Sequence, residues 1–287
     1  MNAYTSPPIV VGVDGSPESM DALRWAAATA EQHHAPLTLV YGVGAPIDYG
    51  PGLSAVVFDN QTMRTDGAAV LADAEKCARE VAGDVQITTA VADPAPATVL
   101  IGRSKDARMV VVGTRGLGAV GRGLLGSVST SLARHAHCPV AVIPEADPIR
   151  DRSEWPVVVG VDGSSCSAEA IDIAFDEASR RGVGIVAVTA WSEFFRYISR
   201  DEMREQARAV QAESLAGQAE KYPDVPVRRV VVEDRPARRL LEEADAAQLV
   251  VVGSHGRGGF AGMTLGSVGQ AVLHGTPVPL IIARPRD

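Results

Sequence analysis

Two apolar runs in this chain, Val110-Val111-Val112 and Val250-Val251-Val252, each empty into one spacing, Gly-x2-Gly-x9-Gly-Ser. The first copy places Gly113, Gly116, Gly126 and Ser127 in that pattern, and the second places Gly253, Gly256, Gly266 and Ser267. A short continuous apolar run is the signature of a strand covered on both faces, as in parallel sheets flanked by helices. A strand, a permissive loop and a helix start in that order make an anion site. Unpaired backbone N–H groups converge there, and the helix dipole favours negative charge.

The repetition extends well beyond the glycines. Ile9 to Ser16 and Val157 to Ser164 agree at seven of eight positions, and Cys138-Pro139-Val140 returns as Thr276-Pro277-Val278. A period this long means duplicated domains rather than a solenoid of short units. A chain of 287 residues also suits two domains. The expected division is a first domain over 1–146, a polar linker over 147–155 and a second domain over 156–287.

Within the first copy, strands are expected near 9–13, 37–43, 85–91, 109–112 and 140–143. Helices are expected from Ser16-Pro17 to about His33, from Thr62 to Val81, in a short piece opening at Asp93-Pro94, and from Ser127 to His135. Residues 44–60 read as a long surface loop. In the second copy the strands fall near 157–161, 184–191, 227–232, 249–252 and 278–282, and the helices near 167–181, 200–221, 236–245 and 267–274. Short buried strands alternating with helices imply, for each domain, an α/β doubly wound parallel sheet with helices on both faces.

Composition narrows the partners. Apolar residues make up 46% of the chain and aromatics 5%, so the cores should be aliphatic. The net charge is −8 with no basic tract, which argues against nucleic acid and anionic membranes. No apolar stretch approaches the ~20 residues of a membrane span, and the first residues lack the pattern of a signal peptide. A cytoplasmic protein is expected. Cys77, Cys138 and Cys166 are widely spaced and read as idle thiols in a reducing compartment.

In a doubly wound sheet, ligands bind at the carboxyl ends of the strands where strand order reverses. There the first strand of each copy ends at Asp14 or Asp162, the second near Gly42 or Ala190, and the fourth in the glycine loop. A mononucleotide suits this set, with its phosphates at the Gly116 and Gly126-Ser127 amides and its sugar and base towards the first two strands. Ser127 and Ser267 are also candidate helix caps. Arg115, Arg122, His255 and Arg257 are able to screen phosphate, although the reading favoured for these side chains is that of solvated loop residues.

Two familiar motifs are excluded. No lysine follows Gly126 or Gly266, so this is no P-loop. Gly116 to Gly121 satisfies GxGxxG, but it follows the fourth strand instead of the first and has no acidic residue about 20 positions on. The histidines form no metal set and no Ser/His/Asp arrangement, so no catalytic residue and no metal ligand is assigned.

The glycine pattern, paired with Val-Asp-Gly-Ser at the end of the first strand, resembles the universal stress protein family, and two copies in one chain resemble its tandem actinobacterial form. The resemblance implies a five-stranded sheet of order 3-2-1-4-5 in each domain. It also implies ATP, with Mg²⁺, held without a Walker loop, one nucleotide per domain. In the first domain it places Gly12 and Asp14 by ribose and base, Gly42 and Val43 by adenine, and Gly113, Thr114, Arg115, Gly116, Gly126, Ser127 and Val128 around ribose and phosphates. The matching residues of the second are Gly160, Asp162, Ala190, Trp191, Gly253, Ser254, His255, Gly256, Gly266, Ser267 and Val268. The implied role is that of a regulatory nucleotide-binding module in stress response or dormancy, as a homodimer with unidentified protein partners. The other readings are a slow ATPase or nucleotidyl-transfer enzyme and a ligand-free interaction scaffold.

Overall fold

The computed structural model describes residues 6–44, 60–93, 95–116, 125–145, 151–192, 199–258 and 264–285. The expected surface loop after the second strand falls outside them, apart from Gly44 and Asn60, as do Pro94, Arg122 and the start of the linker. The chain divides into two compact units, Met1–Ala146 and Asp147–Asp287.

The first unit runs β1 (Ile9–Gly12), α1 (Pro17–Gln32), β2 (Leu37–Gly42), α2 (Asn60–Val81), β3 (Ile87–Ala92), α3 (Pro96–Arg103), β4 (Met109–Gly113), α4 (Ser127–His135) and β5 (Val140–Ile143). Its strands lie in the order β3-β2-β1-β4-β5. Every pairing is parallel, for example Val10 with Thr38 on one side and Val110 on the other. The chain starts in the middle of the sheet, winds to one edge, and crosses β1 to build the other half. The reversal between β1 and β4 is the switch point.

The second unit repeats the plan: β6 (Val157–Gly160), α5 (Ser165–Arg181), β7 (Ile185–Trp191), α6 (Arg200–Ser214), α7 (Gln218–Lys221), β8 (Val227–Glu233), α8 (Pro236–Ala244), β9 (Leu249–Gly253), α9 (Ser267–Gly275) and β10 (Leu280–Ala283). Its order is β8-β7-β6-β9-β10, again parallel throughout. Val110, Val111, Val250 and Val251 have no exposed surface, as a sheet covered on both faces requires.

The helices depart from the sequence reading at three points, a start, a break and the caps, each for a local reason. The helix expected from Asp93-Pro94 begins at Pro96, with Ala95 as its cap, because Pro96 supplies the fixed φ of a first helical residue. The helix expected over 200–221 breaks into α6 and α7 at Gly217, whose φ of 79° is left-handed. Ser127 and Ser267 do not cap their helices. They are the first helical residues, and Gly126 and Gly266 occupy the cap positions.

Residues 151–155 are held against the second unit. The Arg152 guanidinium donates to the carbonyls of Ala247 (3.0 Å) and Asp245 (3.2 Å) beyond the end of α8 and lies over the Trp155 ring. The Gln248 side-chain amide donates to the carbonyls of Ser153 (2.8 Å) and Trp155 (2.6 Å).

Candidate ligand site at the carboxyl ends of the strands

Each unit builds its switch-point end from an aspartate and the glycine loop. After β1 the chain turns through Asp14-Gly15-Ser16, where Gly15 takes φ 84°. Asp14 Oδ1 accepts from the Ser16 amide at 3.0 Å and from the Ser16 hydroxyl at 2.6 Å. Ser16 Oγ in turn accepts from the Ser19 amide at 3.2 Å, capping α1. The second unit repeats this: Asp162 Oδ1 accepts from Ser164 N (2.9 Å) and Oγ (2.7 Å), Ser164 Oγ accepts from Ser167 N (3.1 Å), and Gly163 has φ 78°. One oxygen of Asp14, and of Asp162, is thus occupied in forming the turn.

The other oxygen reaches the glycine loop. A methyl on Gly116 would collide with Asp14 Oδ2, and one on Gly256 with Asp162 Oδ2. Asp162 Oδ2 also accepts from the Arg257 backbone amide at 3.2 Å. Two segments far apart in sequence are thus joined by a carboxylate that occupies the space a side chain would need, which is why these loop positions are glycine. Gly113 and Gly253 answer to a different neighbour. A methyl there would lie 2.8 Å from the Glu18 carbonyl oxygen or the Cys166 carbonyl carbon, so each glycine lets the start of a helix cross the strand end.

The helices that follow the loops have a property that α1 and α5 lack. Ser16 and Ser164 cap α1 and α5 with a side-chain oxygen, whereas Gly126 and Gly266 give α4 and α9 no side-chain cap bond. The two glycine caps are fixed by their own backbone, since the amides of Gly126 and Gly266 donate to Thr114 O and Ser254 O at 2.8 Å in both units. First-turn amides without a capping oxygen, at the positive end of a helix, suit an anionic ligand.

In the second unit these parts enclose a cavity of about 330 Å³. Nine of the eleven residues expected there line it: Gly160, Asp162, Ala190, Gly253, His255, Gly256, Gly266, Ser267 and Val268. Trp191 and Ser254 do not. Ser254 is 2% exposed, its hydroxyl 3.1 Å from His255 Nδ1 and 3.6 Å from Cys166 Sγ. Trp191 closes β7 beside the cavity, and its indole nitrogen is buried with no partner among the described residues.

The lining also includes residues outside the expected set. Val161, Val188 and Val252 neighbour strand-end positions that were singled out. Pro236 and Leu240 come from α8, whose one-turn spacing presents both to the sheet, and that spacing was the available signal. Arg257, for which a solvated position was favoured, is exposed yet lines the cavity, with its guanidinium against Gly163.

In the first unit, Gly12, Asp14, Gly113, Thr114, Arg115, Gly116, Gly126, Ser127 and Val128 occupy the matching ends and turns. Gly42 ends β2, and Val43 is buried with its amide donating to Ala92 O at 3.0 Å. Arg115 Nη2 lies 3.6 Å from Glu18 Oε1 and 3.4 Å from Glu145 Oε2. Tyr41, which sequence reasoning passed over, packs its ring on Gly67 at the end of β2. Burial and then the charges of Asp14 and Asp66 push the Tyr41 phenol above its ordinary range.

Fold and cleft together define a duplicated, doubly wound α/β protein with a ligand-sized cavity at the carboxyl ends of its strands. The universal stress protein family matches it twice, over residues 6–144 and 156–284, and the chain belongs to that family. A universal stress protein of Mycobacterium tuberculosis H37Rv is 47% identical over 284 residues, covering 96% of both chains. One from Mycolicibacterium smegmatis is 45% identical over 289 residues, covering 97% of both. Among solved structures, a universal stress protein from Archaeoglobus fulgidus matches with a TM-score of 0.70 at 19% identity, covering 99% of this chain and 98% of its own.

Proposed function

We propose that this protein is a regulatory adenine-nucleotide-binding protein with one site in each unit, ATP being the ligand of both. The observation that carries the reading is the contrast in capping: serine side chains close α1 and α5, while α4 and α9 begin at glycines that leave their first-turn amides to a ligand. The cavity volume of about 330 Å³ also falls within the range of small-molecule and cofactor sites.

Binding is favoured over cleavage by the state of Asp162. Both of its oxygens are engaged in holding the turn and the glycine loop, Oδ1 by Ser164 and Oδ2 by the Arg257 amide, which gives it a structural role. Mg²⁺ would fit as an ion carried by the phosphates and water: no group of three or more His, Cys, Asp or Glu among the described residues forms a protein cage, and Mg²⁺ commonly keeps several waters. Among the described residues no helix is long and apolar enough to cross a membrane. A cytoplasmic setting, homodimeric chains and regulatory protein partners belong to the same proposal.

Equilibrium dialysis of the full chain against millimolar adenine nucleotide tests it, with two bound per chain as the expected result. No retention of ATP, AMP or adenosine would end the reading. Single-turnover assays with labelled ATP separate holding from hydrolysis, and release of phosphate at a catalytic rate would favour the enzyme.

A further inference from the structure

One wall of the second unit's cavity is tied to α6 by a chain of buried hydrogen bonds whose direction is fixed by chemistry. Gln211, 2% exposed, reaches both β7 and β8. Its Nε2 lies 3.0 Å from Ala187 O, 3.1 Å from Val230 O and 3.1 Å from Thr189 Oγ1. Carbonyls only accept, so the end of the side chain facing them is the NH₂ group. Thr189, 6% exposed, gives its one hydroxyl proton to Val161 O at 2.9 Å, so towards Gln211 it accepts. The chain continues across the next peptide, where Asp162 N donates to Ser167 Oγ at 3.2 Å.

Val161 is held at both polar backbone atoms, since its amide donates to Val188 O at 2.8 Å. Gly160, Val161, Asp162 and Ser167 all line the cavity, whereas Thr189 and Gln211 lie behind them. This is the side where β6 ends, towards which a mononucleotide turns its sugar and base when its phosphates meet the glycine-loop amides. Hydrogen bonds in series polarise one another away from water, and a buried carbonyl that loses its donor is costly. The first unit is built otherwise. Tyr41 stands in the place of Thr189, one residue beyond the matched pairs of Gly12 with Val40 and Gly160 with Val188. Leu71, 3% exposed, stands in the place of Gln211, counted back without a gap from Val85 and Val225. Leucine has no polar side-chain atom, so the chain belongs to the second unit alone.

We propose that Thr189 and Gln211 are positioning residues of the second site: by fixing the peptide that joins Val161 to Asp162, they set its affinity for the sugar and base of a nucleotide. This rests on the adenine-nucleotide reading above. Their effect is carried by the strand end, as that of a supporting shell behind the residues that line a site.

Photolabelling of the full chain with a trace of 2-azido-ATP, followed by peptide mapping, reads each site separately. The competitors are ATP, adenosine, which lacks the phosphates, and inorganic tripolyphosphate, which lacks the sugar and base. Thr189→Val keeps the shape of the side chain and removes its hydroxyl. At second-unit peptides of that variant, adenosine and ATP should need about tenfold higher concentration, with tripolyphosphate unchanged and first-unit competition unaffected. Thr189→Ser should return adenosine to within about twofold of the unmutated chain, and Gln211→Leu should weaken it about threefold. Unchanged adenosine competition in Thr189→Val would overturn the proposal, and in Gln211→Leu it would overturn the part given to Gln211. An equal loss for adenosine and tripolyphosphate, or a loss that Thr189→Ser fails to restore, would show a general loosening of the unit and overturn the positioning role while nucleotide binding stands. Labelling that no competitor reduces at either site of the unmutated chain would overturn nucleotide binding and the positioning with it.

Discussion

At the end of β2 in the first unit, Gly42 lies so close to α3 that a methyl would stand 2.6 Å from Pro96 Cα, while in the second unit that place is held by Ala190. At the end of β1 the difference runs the same way. A methyl on Gly12 would meet Leu100 Cδ1 at 2.8 Å, whereas one on Gly160 would find Leu240 Cδ1 at 3.5 Å. Gly160, Ala190 and Leu240 all line the second unit's cavity. Two copies of one motif have thus kept the same spacing for the same reasons while the strand ends outside it have diverged. Gly116 and Gly256 are required by an aspartate, Gly113 and Gly253 by a crossing helix, and Gly42 by a neighbouring helix start. An identical glycine pattern is no guarantee of an identical cleft.

The sharpest way to break that comparison is Gly42→Ala. Its new methyl meets backbone, which cannot rotate away, so the first unit should lose about 3 kcal/mol. The mirror change, Ala190→Gly, removes one methyl and adds chain entropy, for a loss of about 1 kcal/mol in the second unit. Hydrogen-exchange mass spectrometry of β2 and β7 peptides reads the units separately. Equal losses in the two would show that the close approach at Pro96 relaxes easily.

A second difference concerns how α3 and α8 end. Ser104, 1% exposed, donates to Ile101 O at 2.7 Å and accepts from the His137 amide at 2.9 Å. In the second unit Arg152 performs the matching task from outside the helix, through the carbonyls of Asp245 and Ala247. Arg152→Ala removes a cation from a helix C-terminus and leaves those carbonyls to water. The second unit should fall by about 1–2 kcal/mol and the first should be unaffected, as chemical denaturation followed by exchange would show.

How much of this was readable beforehand follows from which neighbours are local in sequence. Strand ends and glycine spacing were legible because apolar runs, Gly15 and Ser16 act through neighbours a few residues away. The helix starts at Ser127 and Ser267 are legible, but the capping role open to these serines falls instead to Gly126 and Gly266, although a serine carries the stronger capping propensity. The break at Gly217 was missed since apolar spacing continues past it, and only the left-handed backbone ends the helix there. The second contact of Asp162, with the amide of Arg257, was not readable, because its partner lies 95 residues away and is brought there by the crossover. For Pro236 and Leu240 the one-turn spacing is visible in the sequence, but which face of α8 meets the sheet is not.

Acid should separate the units by a smaller amount. Glu243, 8% exposed, lies on α8 with Arg228 Nη2 at 2.5 Å and Arg239 also paired to it. Burial pushes its carboxyl up, but the hydrogen bonds and charges of Arg228 and Arg239 outweigh burial and hold it below the usual glutamate range. The unfolded chain therefore takes up the proton first as pH falls. This contribution is complete above the ordinary glutamate range and is lost as pH drops through the depressed value. The first unit has Thr88 and Arg103 in the places of Arg228 and Glu243 and lacks the term. An acid titration should melt β8 peptides before β3 peptides, and Glu243→Gln should narrow that gap. Melting in the opposite order would count against a stabilising role for Glu243 and its two arginines.

The smallest expected effect tests the clefts where they differ least, at Gly12 and Gly160. In Gly12→Ala the methyl presses on Leu100, a side chain that yields by turning, so the loss should be about 1 kcal/mol. In Gly160→Ala ordinary contact distance is available, and the entropy lost by the unfolded chain offsets any crowding, so stability should hold or rise by about 0.5 kcal/mol. The ligand readout reverses the ranking. Gly160 lines the second cavity, so its methyl takes space from whatever binds there, and nucleotide affinity at that site should fall by about threefold while the fold is unharmed. Thermal denaturation paired with site-resolved competition measures both quantities in one protein. A Gly160→Ala chain of unchanged affinity and raised stability would place the ligand away from the end of β6, against Gly256 and the α9 amides alone.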